Sequence, residues 1–167
     1  MNKQFTFHKQ HHIRGYNYSS CTSYMLTICV NNKQYVLSTV KQNSDIELPY
    51  CELTIYGKIV DMYIRKMFEA FPNTKNDIYV VMPNHIHMLF TIEEPEKTCN
   101  KSDQVPRMVR WLKAHITTQL QISIFQKNYY DVIADTDKRF NNCYEYIRNN
   151  PAAWFFGHCK EPEPNDK

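Results

Sequence analysis

The sequence predicts one domain that contains both β-strands and α-helices. Segments rich in β-branched and aromatic residues alternate along the chain with three segments whose apolar residues recur at helical spacing. With 167 residues and 43% hydrophobic content, the chain is long enough to bury one substantial core. We expect this domain to span residues 1–159 and the charged, proline-containing tail 160–167 to be disordered.

The composition argues against several classes of protein. Three glycines and the absence of a G-x-G-x-x-G or G-K-[ST] motif argue against a nucleotide cofactor. The six cysteines form no C-x-x-C pair, so we expect reduced thiols in a cytoplasmic protein. No apolar run reaches the roughly 18 residues of a membrane span, so we expect no membrane partner. A net charge of +3 does not by itself indicate nucleic acid.

Three strands are predicted before the first helix. Residues 23–30 are rich in β-branched and aromatic residues and precede Asn31 and Asn32, which favour a turn. Residues 36–40 form a weaker second strand, and we expect the first two strands to pair as a hairpin. Residues 51–54 are a candidate third strand.

Apolar periodicity predicts two long helices around a polar connector. The first spans residues 56–71 and is ended by Pro72. The second spans residues 104–124. The connector 93–103 is charged and without periodicity, so we expect a mobile loop there.

A third helix is predicted after a short strand or extended loop at residues 125–134. Asp135 and Thr136 have side chains that can cap its first turn. We expect the helix to end by Asn150, because Pro151 disfavours a helical conformation in the residue before it.

A hydrophobic strand over residues 79–89 carries two histidines two positions apart. Side chains alternate along a strand, so His85 and His87 should project on one face while Ile86 and Met88 project into the core. Imidazoles roughly 6 to 7 Å apart can converge on one divalent ion if a third ligand arrives from elsewhere. Taken alone, such a pair is more often structural than a metal site.

The third helix offers that ligand and a nucleophile. Tyr146 and Asn150 are four residues apart and share a face. A different face carries the predicted core stripe of Phe140, Cys143, Tyr144 and Ile147. If the helix packs across the histidine face of the sheet, Asn150 could give its carbonyl oxygen to the ion and Tyr146 would stand one turn away.

Such a site would suit phosphodiester chemistry. Two imidazoles and one oxygen, with positions left for water or phosphate oxygens, suit Mg²⁺ or Mn²⁺ better than structural zinc. A phenol with a pKa of about 10 is a poor nucleophile without help, and a metal would stabilise the charge that develops on the phosphate. The expected product is a phosphotyrosine link at Tyr146.

Two motifs resemble those of the HUH single-tyrosine transposases. Met-Pro-Asn-His-Ile-His at residues 82–87 resembles their His-hydrophobic-His motif. Tyr-Ile-Arg-Asn-Asn-Pro at residues 146–151 resembles the Tyr-Ile-x-x-Asn-Pro signature of the REP-associated branch. Residues 14–19 and 125–131 also resemble segments of that branch, so the likeness covers most of residues 13–154 in the same order.

This resemblance implies an α+β fold in which helices pack on a central antiparallel sheet of the ferredoxin-like type found in HUH endonucleases. It also implies cleavage and rejoining of single-stranded DNA beside hairpins, either REP-like or at transposon ends. By analogy Tyr146 attacks and leaves a 5′-phosphotyrosine and a free 3′-OH. His85, His87 and Asn150 would hold Mg²⁺ or Mn²⁺.

Basic and aromatic residues suggest a DNA-binding surface. A solvated helix face and a phosphate-contacting face explain the charges of the second helix equally well. The candidate DNA contacts are Arg14, Arg107, Arg110, Lys113 and Lys127, with Tyr129, Tyr130 or Trp111 available to stack bases.

Two other functions remain open. A hairpin-binding module that does not cut would bind DNA tightly and metal weakly. A water-using metal nuclease would still cleave DNA after Tyr146→Phe. The sequence leaves a monomer and a homodimer equally open.

Overall fold

The structure, a computed structural model, describes residues 22–43, 48–93 and 104–157. Predictions for Arg14, for the segment 14–19, for nearly all of the connector and for the tail 160–167 lie outside these residues. Six strands and three α-helices follow one another within them, namely β1 (Thr22–Cys29), β2 (Ser38–Lys41), β3 (Tyr50–Leu53), α1 (Ile55–Ala70), β4 (Thr74–Val81), β5 (His85–Ile92), α2 (Gln104–Leu120), β6 (Tyr130–Ala134) and α3 (Asp137–Phe155).

Four strands form one antiparallel sheet in the order β4-β5-β1-β6. Because side chains alternate along each strand, the sheet has two different faces. Ile28 and Ile86 belong to the core that α1 and α2 cover, whereas Met25 and Leu89 pack against α3. The predicted α+β fold with helices packed on a central antiparallel sheet is confirmed.

The predicted histidine strand is two strands joined by a tight turn. β4 and β5 pair with each other, and residues 82–84 connect them. Pro83 has no N–H to give to a strand ladder, and the Met82 N–H donates to the carbonyl of His85 at 2.9 Å to close the turn. The prediction of one continuous strand was therefore wrong. The facing was right, because Ile86 and Met88 lie in the core under α1 and α2.

The predicted pairing of the first two strands was also wrong. β1 has neighbours on both edges, β5 and β6, and leaves no edge for β2. Asn32 and Lys33 adopt positive φ angles of 53°, which turn the chain away from β1. β2 instead pairs with β3 in a separate two-stranded sheet.

α1 confirms the predicted first helix to within one residue at each end. The Thr54 side chain caps it by accepting from the Gly57 N–H at 3.1 Å. Gly57 also allows the helix to lie close to the segment before β2, because a Cβ atom there would lie 1.9 Å from the Leu37 carbonyl oxygen. This contact fixes the chain between β1 and β2 against the body of the domain.

α2 is described from Gln104 and ends at Leu120, four residues before the predicted end. Gln121 has a φ of 58°, which stops the helix. β6 lies within the segment that the sequence predicts as a short strand or extended loop.

α3 begins as predicted, with the Thr136 hydroxyl accepting from the Arg139 N–H at 3.3 Å. The expectation that it ends by Asn150 was wrong, because the helix continues through Pro151 to Phe155. A proline in a helix removes one hydrogen bond. Here Pro151 is buried together with Ile147 and Asn150, and this packing offsets the local cost. The extra turn brings Trp154 onto the sheet.

Candidate active site

α3 lies across the face of the sheet that carries both histidines. The rings of His85 and His87 are 4.5 Å apart between centroids. The Tyr146 ring meets His87 edge to face at 5.2 Å, and the Trp154 ring lies 6.0 Å from His85. Asn150 is buried one helical turn from each of these two aromatic residues. The structure therefore brings together His85, His87 and Tyr146, and it buries Asn150 between Tyr146 and Trp154 along α3.

Hydrogen bonds fix both imidazole rings through their Nδ1 atoms. His85 Nδ1 donates to the Asn84 carboxamide oxygen at 2.6 Å, which is the hydrogen bond of the tautomer that carries its hydrogen on Nδ1. His87 Nδ1 shares a hydrogen bond of 2.8 Å with the Thr27 hydroxyl. Partners on Nδ1 that orient the ring are typical of metal-binding histidines.

The protonation of His87 also suits a ligand. Burial, and secondly the neighbouring His85, hold the pKa of His87 well below its usual range. The ring is therefore neutral at pH 7, as metal coordination requires. Its Nε2 atom is buried and has no hydrogen-bond partner among the described residues.

The donor set of this site is incomplete for a structural zinc ion. No cluster of three or more His, Cys, Asp or Glu side chains occurs in the described part of the chain. The candidate donors are the two imidazoles and the Asn150 carboxamide, a set that would suit an ion with open coordination positions. Among the residues that the structure describes, His85, His87 and Asn150 are the candidates for holding a metal.

Sequence reasoning missed three residues of the site. Trp154 continues the spacing of four that joins Tyr146 to Asn150, and this signal was lost because the helix was expected to stop at Pro151. Thr27 lies opposite His87 in the strand register, which no local pattern reveals. Asn84 precedes His85 and could have been found from its place in the turn.

Four of the candidate DNA contacts meet at a second location. Arg110, Lys113, Lys127 and Tyr129 line one groove of about 630 Å³ between α2 and the segment before β6. Arg107 does not line it, and its guanidinium lies 5.8 Å over the Phe71 ring.

The Lys113 side chain forms hydrogen bonds within the wall of the groove. Its ammonium donates to the carbonyls of Gln126, Lys127 and Asn128 at 2.7, 3.1 and 3.2 Å. Burial lowers the pKa of Lys113 to about 8. Arg110 and Lys127 are exposed, so they are the groove cations most accessible to an anion.

The groove and the histidine site lie on opposite faces of the sheet but at the same end. Cys29 is the register partner of His85, and its carbonyl accepts from the Gln126 N–H at 2.9 Å. The Gln126 carbonyl in turn accepts from Lys113. A short path of direct contacts thus connects the two locations.

Comparison with other proteins supports both a family and a fold. No protein-family model matches the chain. An uncharacterised protein of Haemophilus influenzae is 30% identical over an alignment of 162 positions, and the match covers 85% of this chain and 87% of that protein. The chain belongs to the same family as this Haemophilus protein.

Comparison with a solved structure identifies the fold of this chain. The structure of a REP-associated tyrosine transposase bound to a REP hairpin matches 93% of this chain and 77% of that chain, with a TM-score of 0.59 and 18% identity. This chain therefore has the fold of the HUH tyrosine transposases, and the resemblance inferred from its motifs is confirmed at the level of the fold. None of its helices in the described residues could span a membrane.

Proposed function

We propose that this protein is a metal-dependent, transposase-like enzyme that cuts and rejoins single-stranded DNA through a covalent tyrosine intermediate. One observation carries the proposal. Tyr146 stands edge to face against His87, within a buried pair of histidines whose Nδ1 atoms are both hydrogen-bonded. Packing alone does not require two polar rings to be buried and oriented in this way.

Tyr146 is the proposed nucleophile. Its phenolic oxygen forms a bond to phosphorus, the bond from phosphorus to the 3′ oxygen breaks, and the 3′ oxygen gains a proton as the phenol loses one. The products are a 5′-phosphotyrosine and a free 3′-OH. Because the bond energy is kept in the phosphotyrosine, the reverse attack by a 3′-OH can rejoin the strand.

His85, His87 and Asn150 are proposed to hold Mg²⁺ or Mn²⁺, which when bound supplies positive charge to the phosphate under attack. Asn84 and Thr27 hold the two rings through their Nδ1 atoms, so Nε2 is the proposed metal-binding atom of each ring. A neutral His87 at pH 7 keeps a lone pair available there.

The proposed substrate is single-stranded DNA that contains a hairpin. The fold is shared with a transposase whose structure was solved with a REP hairpin, which supports this substrate class. Arg110 and Lys127 are proposed to bind phosphates along the groove, with Tyr129 beside them. Lys113 keeps the wall of the groove in place.

The test is a denaturing gel of the protein incubated with labelled hairpin DNA and Mn²⁺ or Mg²⁺. Tyr144→Phe is the matched control for Tyr146→Phe, because Tyr144 is also half-buried on α3 but stacks on Phe140. We expect a slowed band that requires metal and is lost only with Tyr146→Phe. Cleavage that survives Tyr146→Phe would instead identify a water-using nuclease.

One observation favours a second candidate, a hairpin-binding module that does not cut. His85 and His87 are only 1% and 2% exposed, so the side chains that cover them must move before a phosphate can reach them. Hairpin binding at nanomolar concentration without any cleavage, together with no measurable Mn²⁺ binding, would establish this candidate.

A further inference from the structure

A row of aromatic rings leads from the histidine pair to the protein surface. Trp154 lies against His85 at 6.0 Å, and Tyr35 meets the Trp154 ring edge to face at 5.5 Å with an interplanar angle of 83°. Tyr35 is 61% exposed, and Trp154 is half-buried. The site is thus bordered by an aromatic pair with one ring largely in solvent.

The backbone immediately after Tyr35 is fixed to the turn before β5 and to the residue that caps α1. The Leu37 N–H donates to the carbonyl of Pro83 at 3.0 Å, in the turn immediately before His85. The Thr54 hydroxyl donates to the Val36 carbonyl at 2.6 Å. Tyr35 is therefore presented from a supported backbone, and its exposed ring is held against Trp154 at the edge of the site.

We propose that Tyr35 and Trp154 form a stacking platform for one unpaired nucleobase of the DNA strand that enters the site. This inference rests on the proposed function, because that function supplies single-stranded DNA at His85 and His87. Every nucleobase has a flat π-face that can stack on an aromatic ring, whereas the paired bases of a duplex are already stacked. The platform therefore selects the unpaired part of the substrate next to the cleaved phosphodiester.

The platform also explains the half-buried Trp154 side chain. Its ring lies against His85, with the ring centroids 6.0 Å apart. A base stacked on the Tyr35–Trp154 pair would therefore be separated from the proposed metal ligands only by the Trp154 ring. A phosphate attached to that base would then be directed towards Tyr146, one turn beyond Asn150 on the same face of α3. Trp154 is in this account a positioning residue.

The first experiment uses the fluorescence of Trp154. The chain contains two tryptophans, so Trp111→Phe leaves Trp154 as the sole tryptophan emitter. We expect a metal-free titration with a short single-stranded oligonucleotide to quench this emission, because a base stacked on indole quenches it. An unchanged emission during binding, with binding followed by anisotropy of the labelled oligonucleotide, would overturn the platform.

The second experiment measures affinity with matched variants. Trp154→Leu keeps apolar bulk but removes the aromatic ring and should weaken oligonucleotide binding by roughly 5- to 150-fold, while Trp154→Phe should restore most of it. Oligonucleotides that each lack one base, at successive positions, complete a double-mutant cycle with the Trp154 variants. Removing the base that stacks on the platform should weaken binding to the natural chain but should not weaken binding to Trp154→Leu any further. Equal affinities for all three proteins would contradict the proposal.

These readouts separate the platform from the proposed function. A Trp154→Leu protein that binds DNA as tightly as the natural chain and still forms the covalent adduct would refute the platform alone. Quenching and the abasic effect without any adduct would refute the tyrosine chemistry and leave the platform standing. If the natural chain binds no single-stranded DNA at all, both fall.

Discussion

Thr27→Val tests whether the buried hydrogen bond to His87 serves a ligand site. Valine matches threonine in shape, so the substitution removes the hydroxyl and leaves the packing of β1 in place. Thr27 and His87 are 5% and 2% exposed, and their hydrogen bond is 2.8 Å long. The substitution leaves His87 Nδ1 without this partner in a dry environment.

The expected loss of stability follows from that burial. Leaving one buried polar group unsatisfied costs about 1–3 kcal/mol. A chain of this size loses about 2–4 °C of melting temperature per kcal/mol, so the Tm should fall by roughly 2 to 12 °C. If His87 is a ligand, loss of its orienting partner should also weaken Mn²⁺ binding by about 10- to 100-fold. Differential scanning calorimetry and isothermal titration calorimetry measure the two effects.

Ser23→Ala is the matched control on the same two strands. Ser23 and Thr91 share a hydroxyl hydrogen bond of 2.8 Å between β1 and β5, and Ser23 is 8% exposed. We expect Ser23→Ala to lower the Tm comparably and to leave Mn²⁺ affinity unchanged. A ligand role for His87 is refuted if Thr27→Val and Ser23→Ala reduce stability alike and both retain the metal affinity of the natural chain.

Three other predictions address the site, the groove and the fold. Asn150→Ala should reduce adduct formation by about 10- to 100-fold, whereas Asn149→Ala should not, because Asn149 is exposed. The amount of adduct is quantified on the gel, and equal rates for the two variants would exclude Asn150 as a ligand. Lys113 has a folded pKa of about 8, below the roughly 10.4 of an unfolded lysine. Between these two pKa values the unfolded chain binds more protons than the folded chain, so the free energy of unfolding should rise from pH 8 to 10 relative to that of Lys113→Met. Urea denaturation at each pH measures it, and the same pH dependence in both proteins would contradict the prediction. Gly57→Ala should lower the Tm, although the same change stabilises an ordinary helix by about 1 kcal/mol, because its Cβ would meet the Leu37 carbonyl oxygen.

Periodicity alone predicted which side chains of the candidate site share a face. Alternation along a strand placed His85 and His87 on one face, and a spacing of four placed Tyr146 and Asn150 on one side of α3. Both relations depend only on local backbone geometry. The antiparallel arrangement of the sheet came from the resemblance of the motifs, because no local pattern distinguishes which strands pair.

The errors share a physical cause, which is that tertiary packing overrides local preference. Pro151 weakens a helix locally, but its burial together with Asn150 allows α3 to continue and delivers Trp154 to His85. The strand over residues 79–89 was predicted without a break because the hydrophobic run hides the turn at Pro83. The role of Lys113 depends on carbonyls thirteen to fifteen residues away, which no sequence pattern joins to it.

The most direct test of the account is to map the covalent bond between DNA and protein. The protein is incubated with hairpin DNA and Mn²⁺, digested with trypsin and nuclease, and analysed by tandem mass spectrometry. Cleavage after Arg139 and Arg148 yields one peptide that contains both Tyr144 and Tyr146. The account predicts a nucleotide attached to Tyr146. A nucleotide on Tyr144, or cut DNA that carries a free 5′-phosphate with no modified peptide, would contradict it.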